Sequence, residues 1–299
     1  MAKILVKRVP NYLVNTIKIG IVAILLATSF SAKALTHITS FNQAGYDAYT
    51  CHINGSPTLT GATITGDITL ANGLDIPDYA FRNNPNITSV EALGSIGTIG
   101  VEAFLGCPAN TLTFGDVITI KRDAFANCKA KTITFGDVTT INQDAFANCK
   151  ATLIFGNVIT ISSYAFRSCV CEDAITFGNV ITISSYAFNG CSKAKTITFG
   201  DVTTIDYRAF NGCNALVSLT FGANPPNVES SEHFRNCYNL TTIYVPDLRA
   251  LSKYQKHPFW GSLPYTLEAI DKTPIPPRAV QNIGRINIKR GKVEIRPRE

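Results

Sequence analysis

Apolar and polar residues alternate through the middle of the chain in a pattern that returns every 20 to 24 residues. In one copy, Ile133 and Phe135 are apolar and Thr134 between them is polar, which is the period of a half-buried β-strand. A second β-branched run, 138–141, follows in the same copy. Two short strands in about 21 residues leave no room for a helix. Each copy is therefore predicted to form one coil of a β-rich right-handed solenoid with parallel strand pairing.

Three sets of apolar residues occupy equivalent positions in consecutive copies, and we expect each set to stack into a column inside the solenoid. The first set is Leu112, Ile133, Leu153, Ile175, Ile197 and Leu219; the second is Phe114, Phe135, Phe155, Phe177, Phe199 and Phe221; the third is Phe104, Phe125, Phe146, Phe166, Phe188, Phe210 and Phe234. Burial of one Phe contributes about 1.5–3 kcal/mol, so the two Phe columns are predicted to dominate stability. An exposed aromatic stripe for a ligand is the alternative.

The turn between the two strands carries either Asp or Asn, preceded by Gly. The equivalent positions hold Asp116, Asp137, Asn157, Asn179 and Asp201. The Gly-Asp pair predicts a turn with positive backbone angles. Because Asp and Asn exchange at this position, we expect a ladder of side-chain hydrogen bonds rather than a general acid, a general base or a Ca²⁺ cage.

Seven of the nine cysteines also repeat at one position of the copy. They are Cys107, Cys128, Cys149, Cys169, Cys191, Cys213 and Cys237. Side chains stacked in a column point the same way, which does not suit the S–S torsion, and single stacked thiols do not form a tetrahedral metal cage. The sequence predicts that these cysteines fill the core as free thiols, and it leaves Cys51 and Cys171, off the column, as candidates for reactive or pairing thiols.

The two ends of the chain differ from the repeats. Residues 1–34 combine early Lys and Arg, a 12-residue apolar run and the small-residue site Ala32-Lys33-Ala34, which predicts a cleaved signal peptide. The apolar run is shorter than the about 20 residues of a spanning helix, so we expect no membrane span after cleavage; an uncleaved anchor is the alternative. Residues 35–66, polar and rich in Gly and Thr, are predicted to be an N-terminal cap of short strands.

The repeats are predicted to run from 67 to 245 and to be closed by a C-terminal cap at 246–270. Leu248, Leu251 and Tyr254 recur at helical spacing, and Asp247 is placed to cap a short helix. Residues 271–299 form a basic, Pro-containing tail with a candidate β-hairpin around Arg290-Gly291. This tail could be an export or attachment signal, a patch for an acidic surface, or solvated chain.

The net charge of +6 comes from the ends of the chain. Residues 1–34 and 271–299 each carry +5, so the body between them carries −4. That body offers no basic stripe for a phosphate backbone, and we expect no nucleic-acid partner. The four histidines do not accompany a nucleophile motif, and no phosphate-binding Gly loop is present, so neither catalytic residues nor a cofactor or metal are predicted.

The repeat resembles that of BspA-type leucine-rich repeat surface proteins. In 202–221 the match rests on Ile205, Ala209-Phe210, Cys213 and Leu216. The chain departs from the family's repeat in two ways. In the central copies Gly replaces the Pro that follows the strand, and the Leu three residues after Cys occurs only at Leu216 and Leu240. The resemblance implies a leucine-rich repeat-like stack, and a secreted or cell-surface adhesion scaffold that binds a protein or host-surface ligand. The alternative is a carbohydrate-active β-solenoid enzyme, which would need a dense acidic groove.

Two groups of outward-facing residues are the candidate ligand face. The strand positions are Thr113, Thr134, Thr176, Thr198 and Thr220, and the variable corners add Tyr164, Tyr186, Tyr207 and Arg208. Plain solvated surface is the alternative for any one of them.

Overall fold

The computed structural model describes residues 36–43, 49–53, 56–60, 65–172, 174–228, 232–273, 286–289 and 292–295. Side chains are described for 36–41, 65–172, 174–228 and 232–273. The predicted signal peptide at 1–34, the side chain of Cys51 and most of the basic tail lie outside these residues.

The first strand of every repeat joins one long sheet. Its strands are β1 (Thr36–Gln43), β2 (Tyr49–Ile53), β3 (Ser56–Thr60), β4 (Gly66–Leu70), β5 (Ile87–Ala92), β7 (Thr111–Phe114), β9 (Thr132–Thr134), β11 (Thr152–Ile154), β13 (Ala174–Thr176), β15 (Thr196–Thr198), β17 (Ser218–Thr220), β19 (Thr242–Asp247) and β20 (Thr266–Asp271). From β4 to β20 neighbouring strands are parallel and follow chain order, whereas β1–β2 and β2–β3 are antiparallel.

The second strand of every repeat joins a seven-stranded parallel sheet. Its strands are β6 (Ile96–Ile99), β8 (Val117–Ile120), β10 (Val138–Ile141), β12 (Val158–Ile161), β14 (Val180–Ile183), β16 (Val202–Ile205) and β18 (Asn227–Val228). In the first sheet, Ile133 pairs with Leu112 on one side and Leu153 on the other, so equivalent residues of the repeats are stacked. The predicted parallel β-solenoid is confirmed, with about 9 coils of about 22 residues.

Each coil returns from the second sheet to the first through two residues in the left-handed region. The position before Ala-Phe holds Tyr79, Glu102, Asp123, Asp144, Tyr164, Tyr186 and Arg208; the position two residues after that Phe holds Asn83, Gly106, Asn127, Asn148, Ser168, Gly190, Gly212 and Asn236. The second set is mostly Gly and Asn, the residues that tolerate positive φ best. The first set consists of larger or charged residues, for which positive φ is unfavourable, so contacts with the neighbouring coil must hold this conformation. One such contact is the hydrogen bond from Tyr186 N–H to Tyr207 C=O at 3.2 Å.

The Gly-Asp turn does not have the positive backbone angles that we predicted for it. Neither Gly136 nor Asp137 is among the residues with positive φ. Glycine is required here because consecutive coils approach closely: a Cβ built on Gly178 would lie 2.7 Å from Asn157 Oδ1 and 3.0 Å from the carbonyl carbon of Gly156.

The two Phe columns form the centre of the core. Phe125 and Phe146 stack with centroids 5.1 Å apart and planes 4° apart, and Phe135 meets Phe146 edge-on at 6.0 Å. Members of both columns from Phe104 to Phe221 are at most 4% exposed. The alternative of an exposed aromatic stripe is therefore wrong, and the apolar interior runs the length of the described coils.

The cysteine column is buried and unbridged. All eight cysteines with described side chains are free thiols, so the core-filling prediction is confirmed for them. The thiols of Cys128, Cys169, Cys191, Cys213 and Cys237 donate to backbone carbonyls of preceding coils, as in Cys213 Sγ to Phe188 O at 3.2 Å. Cys171, the candidate reactive or pairing thiol, is also free and fully buried. Its thiol donates to Ala174 O at 3.5 Å, because the longer corner of this coil folds inward.

A short helix covers the last coil. Helix α1 (Leu248–Lys256) begins at Asp247, whose carboxylate accepts from the N–H groups of Arg249 and Ala250 at 2.8 Å, which confirms the predicted cap. The phenol of Tyr254 donates to Asn224 O at 3.0 Å. Trp260, in a 3₁₀ turn (Trp260–Ser262), is fully buried and donates from Nε1 to Pro226 O at 2.9 Å.

The long sheet continues past the helix. Strand β20 pairs in parallel with β19, so the sheet extends beyond position 245, where the sequence placed the end of the repeats. The boundaries of the two caps stay predictions. In the tail, β21 (Ile286–Lys289) and β22 (Lys292–Ile295) pair antiparallel.

We expect Phe146→Ala to lower the free energy of unfolding by about 3–5 kcal/mol, because it removes a ring stacked on both sides and leaves a cavity. Ile118→Ala is the matched control, since Ile118 is 60% exposed and should cost less than about 0.5 kcal/mol. Urea unfolding followed by circular dichroism measures both. Equal unfolding midpoints for the two variants would contradict the Phe core.

The buried thiols predict a loss of stability at alkaline pH. Burial raises the pKa of both Cys107 and Cys169 from 9.0 to about 12. The folded chain therefore keeps protons that the unfolded chain releases, so this contribution is fully present below pH 9.0 and is lost as pH rises toward about 12. Urea midpoints measured across that range should fall. The fall should be shallower in a Cys107→Ala/Cys169→Ala variant, and an identical slope would disprove the linkage.

Candidate ligand-binding surface

The five predicted threonines lie in one column on the outer side of the first sheet. Thr113 pairs with Thr134, and Thr176, Thr198 and Thr220 follow one another in register. All five are half-buried, while the Leu or Ile before each is fully buried. Ile154 occupies the same column between Thr134 and Thr176 and interrupts it.

A second hydroxyl column runs beside the first, two residues earlier in each strand. It contains Thr111, Thr132, Thr152, Thr196 and Ser218, with Ala174 in the remaining position. The two columns form a grid with spacings of about 4.8 Å between strands and about 6.6 Å along them. We call these two columns the threonine face; from 111 to 220 they contain no charged residue.

The other predicted residues meet at one corner of the solenoid, at the end of the second sheet. The rings of Tyr164 and Tyr186 stack with centroids 5.2 Å apart and planes 5° apart. Tyr207 meets Tyr186 edge-on at 5.8 Å, and the guanidinium of Arg208 lies 4.8 Å from the ring centre of Tyr207. We call Tyr164, Tyr186, Tyr207 and Arg208 the tyrosine corner.

Glu232 of the next coil fixes the tyrosine corner. It accepts from Arg208 Nε at 2.6 Å and from Tyr207 OH at 3.1 Å, and Arg208 also donates to Tyr186 OH at 3.3 Å. The hydrogen bonds from Arg208 and Tyr207 lower the pKa of Glu232, and the bond to Glu232 raises the pKa of Arg208. The corner is thus an ordered aromatic and cationic cluster, with Tyr207 36% exposed.

Backbone strain does not single out the tyrosine corner. Tyr164, Tyr186 and Arg208 have φ of 60°, 58° and 52°, which for bulky residues costs about 1 kcal/mol or more each. Asp123 and Asp144 adopt the same conformation at the equivalent position of other coils. The strain therefore belongs to the coil and says nothing about a ligand.

The outer side of the second sheet is a surface that the sequence reasoning missed. It holds an unbroken column of Thr98, Thr119, Thr140, Thr160, Thr182 and Thr204 in register. Beside this column, Ile118, Ile159 and Ile181 are 60%, 48% and 52% exposed. Both ends of each Val-x-x-Ile strand are buried and the two middle residues face outward. Strict alternation would turn one of those two residues inward, and for this reason the face was not predicted.

The Asp/Asn column forms the predicted hydrogen-bond ladder. Asn157 N–H donates to Asp137 Oδ1 at 2.7 Å, and Asn179 N–H donates to Asn157 Oδ1 at 2.9 Å. The ladder uses one side-chain oxygen per coil as an acceptor, a role that a carboxylate and an amide fill equally. This interchangeability explains the mixed column and assigns its carboxylates to structure.

Histidines and acidic residues do not converge on a chemical centre in the part of the chain that the structure describes. His233 is buried and its Nδ1 lies 2.7 Å from Asp206 O, and His37 contacts Thr69 Oγ1 at 2.9 Å. Within the described residues, no group of three or more His, Cys, Asp or Glu side chains could hold a metal ion. No helix among them has the length and apolarity needed to cross a bilayer.

Parallel strands, coils of about 22 residues and almost no helix define the chain as a leucine-rich repeat-type solenoid. A family model described as BspA type leucine rich repeat region matches it in 6 copies, over residues 74–155 and 159–270. These ranges cover more than half of the chain, which belongs to this family. No significant match was found among curated proteins.

We expect Asp137→Asn to leave the free energy of unfolding within about 0.5 kcal/mol of the parent, since the amide keeps the acceptor for Asn157 N–H. Asp137→Ala removes that acceptor and should cost about 1 kcal/mol. Urea unfolding of the two variants side by side is the measurement. If Asn proved as costly as Ala, the charge of Asp137 and not its geometry would be what matters.

Proposed function

We propose that this chain is a secreted or cell-surface scaffold that binds a protein ligand, as in adhesion to a host or neighbouring cell, and that it catalyses no reaction. Leucine-rich repeats of this family generally mediate protein binding and are generally not catalytic. Proteins of this family are typically exported or surface-exposed. The signal peptide at 1–34, predicted from the sequence, supports the same route.

The tyrosine corner is the observation that carries the proposal. Tyr and Arg are the residues most enriched at the energetic centre of protein interfaces. Here Tyr164, Tyr186 and Arg208 are ordered by mutual stacking and by Glu232 before any partner arrives. A partner would lose little side-chain entropy on contact, which favours affinity. The threonine face offers a second surface on the same solenoid, built from uncharged residues.

The state of the cysteines supports export. An oxidising compartment drives exposed thiols toward disulfides. The eight described thiols are buried in the core, and burial raises the pKa of Cys107 and Cys169, so little thiolate is available for oxidation. These eight thiols can therefore stay reduced in an oxidising compartment.

A second candidate function, hydrolysis of a polysaccharide, has one observation in its favour. Glu102, Asp123 and Asp144 follow one another in consecutive coils, and burial together with Asp144 and Glu102 raises the pKa of Asp123. Against it, each carboxylate has an Arg partner: Arg82 at 3.0 Å, Arg122 at 3.2 Å and Arg167 at 2.7 Å. Turnover of a polysaccharide that is lost in Asp123→Asn would favour this candidate.

The proposed function is tested by a pull-down of the full chain against extracellular matrix proteins and whole cells, followed by titration of any partner recovered. Tyr186→Ala/Arg208→Ala should weaken binding at least about tenfold, as expected for two interface hot spots. Tyr238→Ala is the matched control, because Tyr238 is a 79% exposed tyrosine outside the tyrosine corner and should not matter. Failure to recover a partner, or equal affinity of both variants, would refute the proposal.

A further inference from the structure

A depression of about 720 Å³ lies at the corner where each coil leaves the cysteine column and enters the first sheet. Lysine side chains dominate its lining. The charged residues that line it are Lys129, Lys131, Lys150, Lys193 and Glu172. All four lysines are exposed, and we call this feature the lysine depression.

The lengths of consecutive corners explain why the surface is indented there. Only three residues, 150–152, separate Cys149 from the buried Leu153, whereas five separate Cys169 from Ile175 and Cys191 from Ile197. The short corner is set back between longer ones. Backbone hydrogen bonds hold it in place, from Lys150 N–H to Cys128 O at 3.0 Å and from Thr152 N–H to Lys131 O at 2.9 Å. The depression is therefore part of the rigid solenoid.

Buried alanines direct the lysines outward. Ala130, Ala151 and Ala194 are at most 2% exposed and point into the core. The residues on either side of them in the chain, including Lys129 and Lys131, consequently face solvent. The sequence Lys-Ala-Lys at 129–131 occurs again at 193–195. The repeat therefore places lysines at equivalent exposed positions of this corner.

The lysines have no counter-charge of their own. None of the four forms an ion pair with a carboxylate in the described residues. Elsewhere on the solenoid the pattern is the opposite, as in Arg167 with Asp144 and Lys121 with Asp78. The corners before and after, 108–110 and 214–215, are uncharged. The lining of the depression carries four lysines and one carboxylate, Glu172, and an excess of one sign of charge in a concave site raises the local concentration of ions of the other sign.

We propose that the lysine depression binds a linear anionic polysaccharide, in addition to the protein ligand of the tyrosine corner. Lys129 and Lys131 lie in one coil, Lys150 in the next and Lys193 two coils further on. This span of about 14 Å is too wide for one small anion and suits repeated charges on a chain. Lysine acts as a point charge and does not demand the planar geometry that arginine does. Thr132 lines the same depression and offers a hydroxyl group to sugar hydroxyls.

The lining disfavours the other polyanions. An acidic peptide would want an apolar anchor, and the apolar residues of the lining are only Ala130 and Val170, buried and half-buried. A single-stranded nucleic acid would want aromatic rings for base stacking, and none lines the depression. The proposal does not depend on the tyrosine corner, so either site can fail without the other.

The test is calorimetric titration of the full chain with heparin, alginate and neutral dextran. We expect binding to heparin, to alginate or to both, which separates sulphate from carboxylate recognition, and no binding to dextran. Added salt should weaken the binding by screening. Binding to neither anionic polymer would overturn the proposal, and so would tighter binding to polyglutamate or to a single-stranded oligonucleotide.

Variants distinguish the lysine depression from the basic tail. Lys129→Gln/Lys150→Gln/Lys193→Gln removes three exposed charges and should weaken binding about tenfold. The matched control is Lys289→Gln/Arg290→Gln/Lys292→Gln in the tail, which should retain most of the affinity. The reverse result would assign the anion to the tail and overturn the proposal. Circular dichroism should show both variants folded, because the changed side chains of the depression are exposed.

Discussion

In-register pairing of parallel strands places each residue of a coil directly against its equivalent in the next coil. Ile133 lies between Leu112 and Leu153, and the rings of the Phe columns stack at about 5 Å. Every position is therefore repeated as a column, and a residue succeeds only if it tolerates its own kind at that distance. Phe, Cys, Ala, Ile and Thr satisfy this condition, and each of these residues forms a long column.

Charged residues do not tolerate such stacking, and the exceptions show how the fold responds. The Asp/Asn column lets an amide of Asn157 donate to the second carboxylate oxygen of Asp137 at 3.3 Å. At the left-handed position the acidic side chains of Glu102 and Asp144 are neutralised by arginines of the same surface. In the lysine depression four lysines share a surface with one carboxylate, Glu172, and none of the four forms an ion pair in the described residues, which distinguishes the depression from the arginine-paired positions.

The repeated pattern made the strands, the Phe and Cys columns and the Asp/Asn ladder predictable, because each depends only on what a coil shares with its neighbours. The features that a single repeat does not predict are of two kinds: close approaches between the backbones of neighbouring coils, and contacts at corners whose lengths differ from coil to coil. The sequence of one repeat predicts a turn role for Gly136, because it does not show that the backbone of the preceding coil lies close to this residue. Cys171 lies in a longer corner that folds inward, and Lys150 lies in a shorter one that is set back. The sequence identifies Tyr164 and Tyr186 as variable corner residues. Their stacking on one another depends on the register between their coils, which the structure shows.

The last coil of such a stack would expose an apolar surface and unpaired backbone groups, because every coil presents these to the next one. The core is closed by Trp260, whose ring meets Phe221 edge-on at 5.3 Å, while α1 covers the coil. The backbone of the long sheet is not closed in the same way, since β20 continues it. That edge strand instead carries Glu268 and Asp271, with Lys272 beside it, and charges on an edge strand oppose pairing with another sheet. At this end of the solenoid, buried aromatic rings therefore cover the apolar interior, and charged residues on the edge strand oppose further strand pairing.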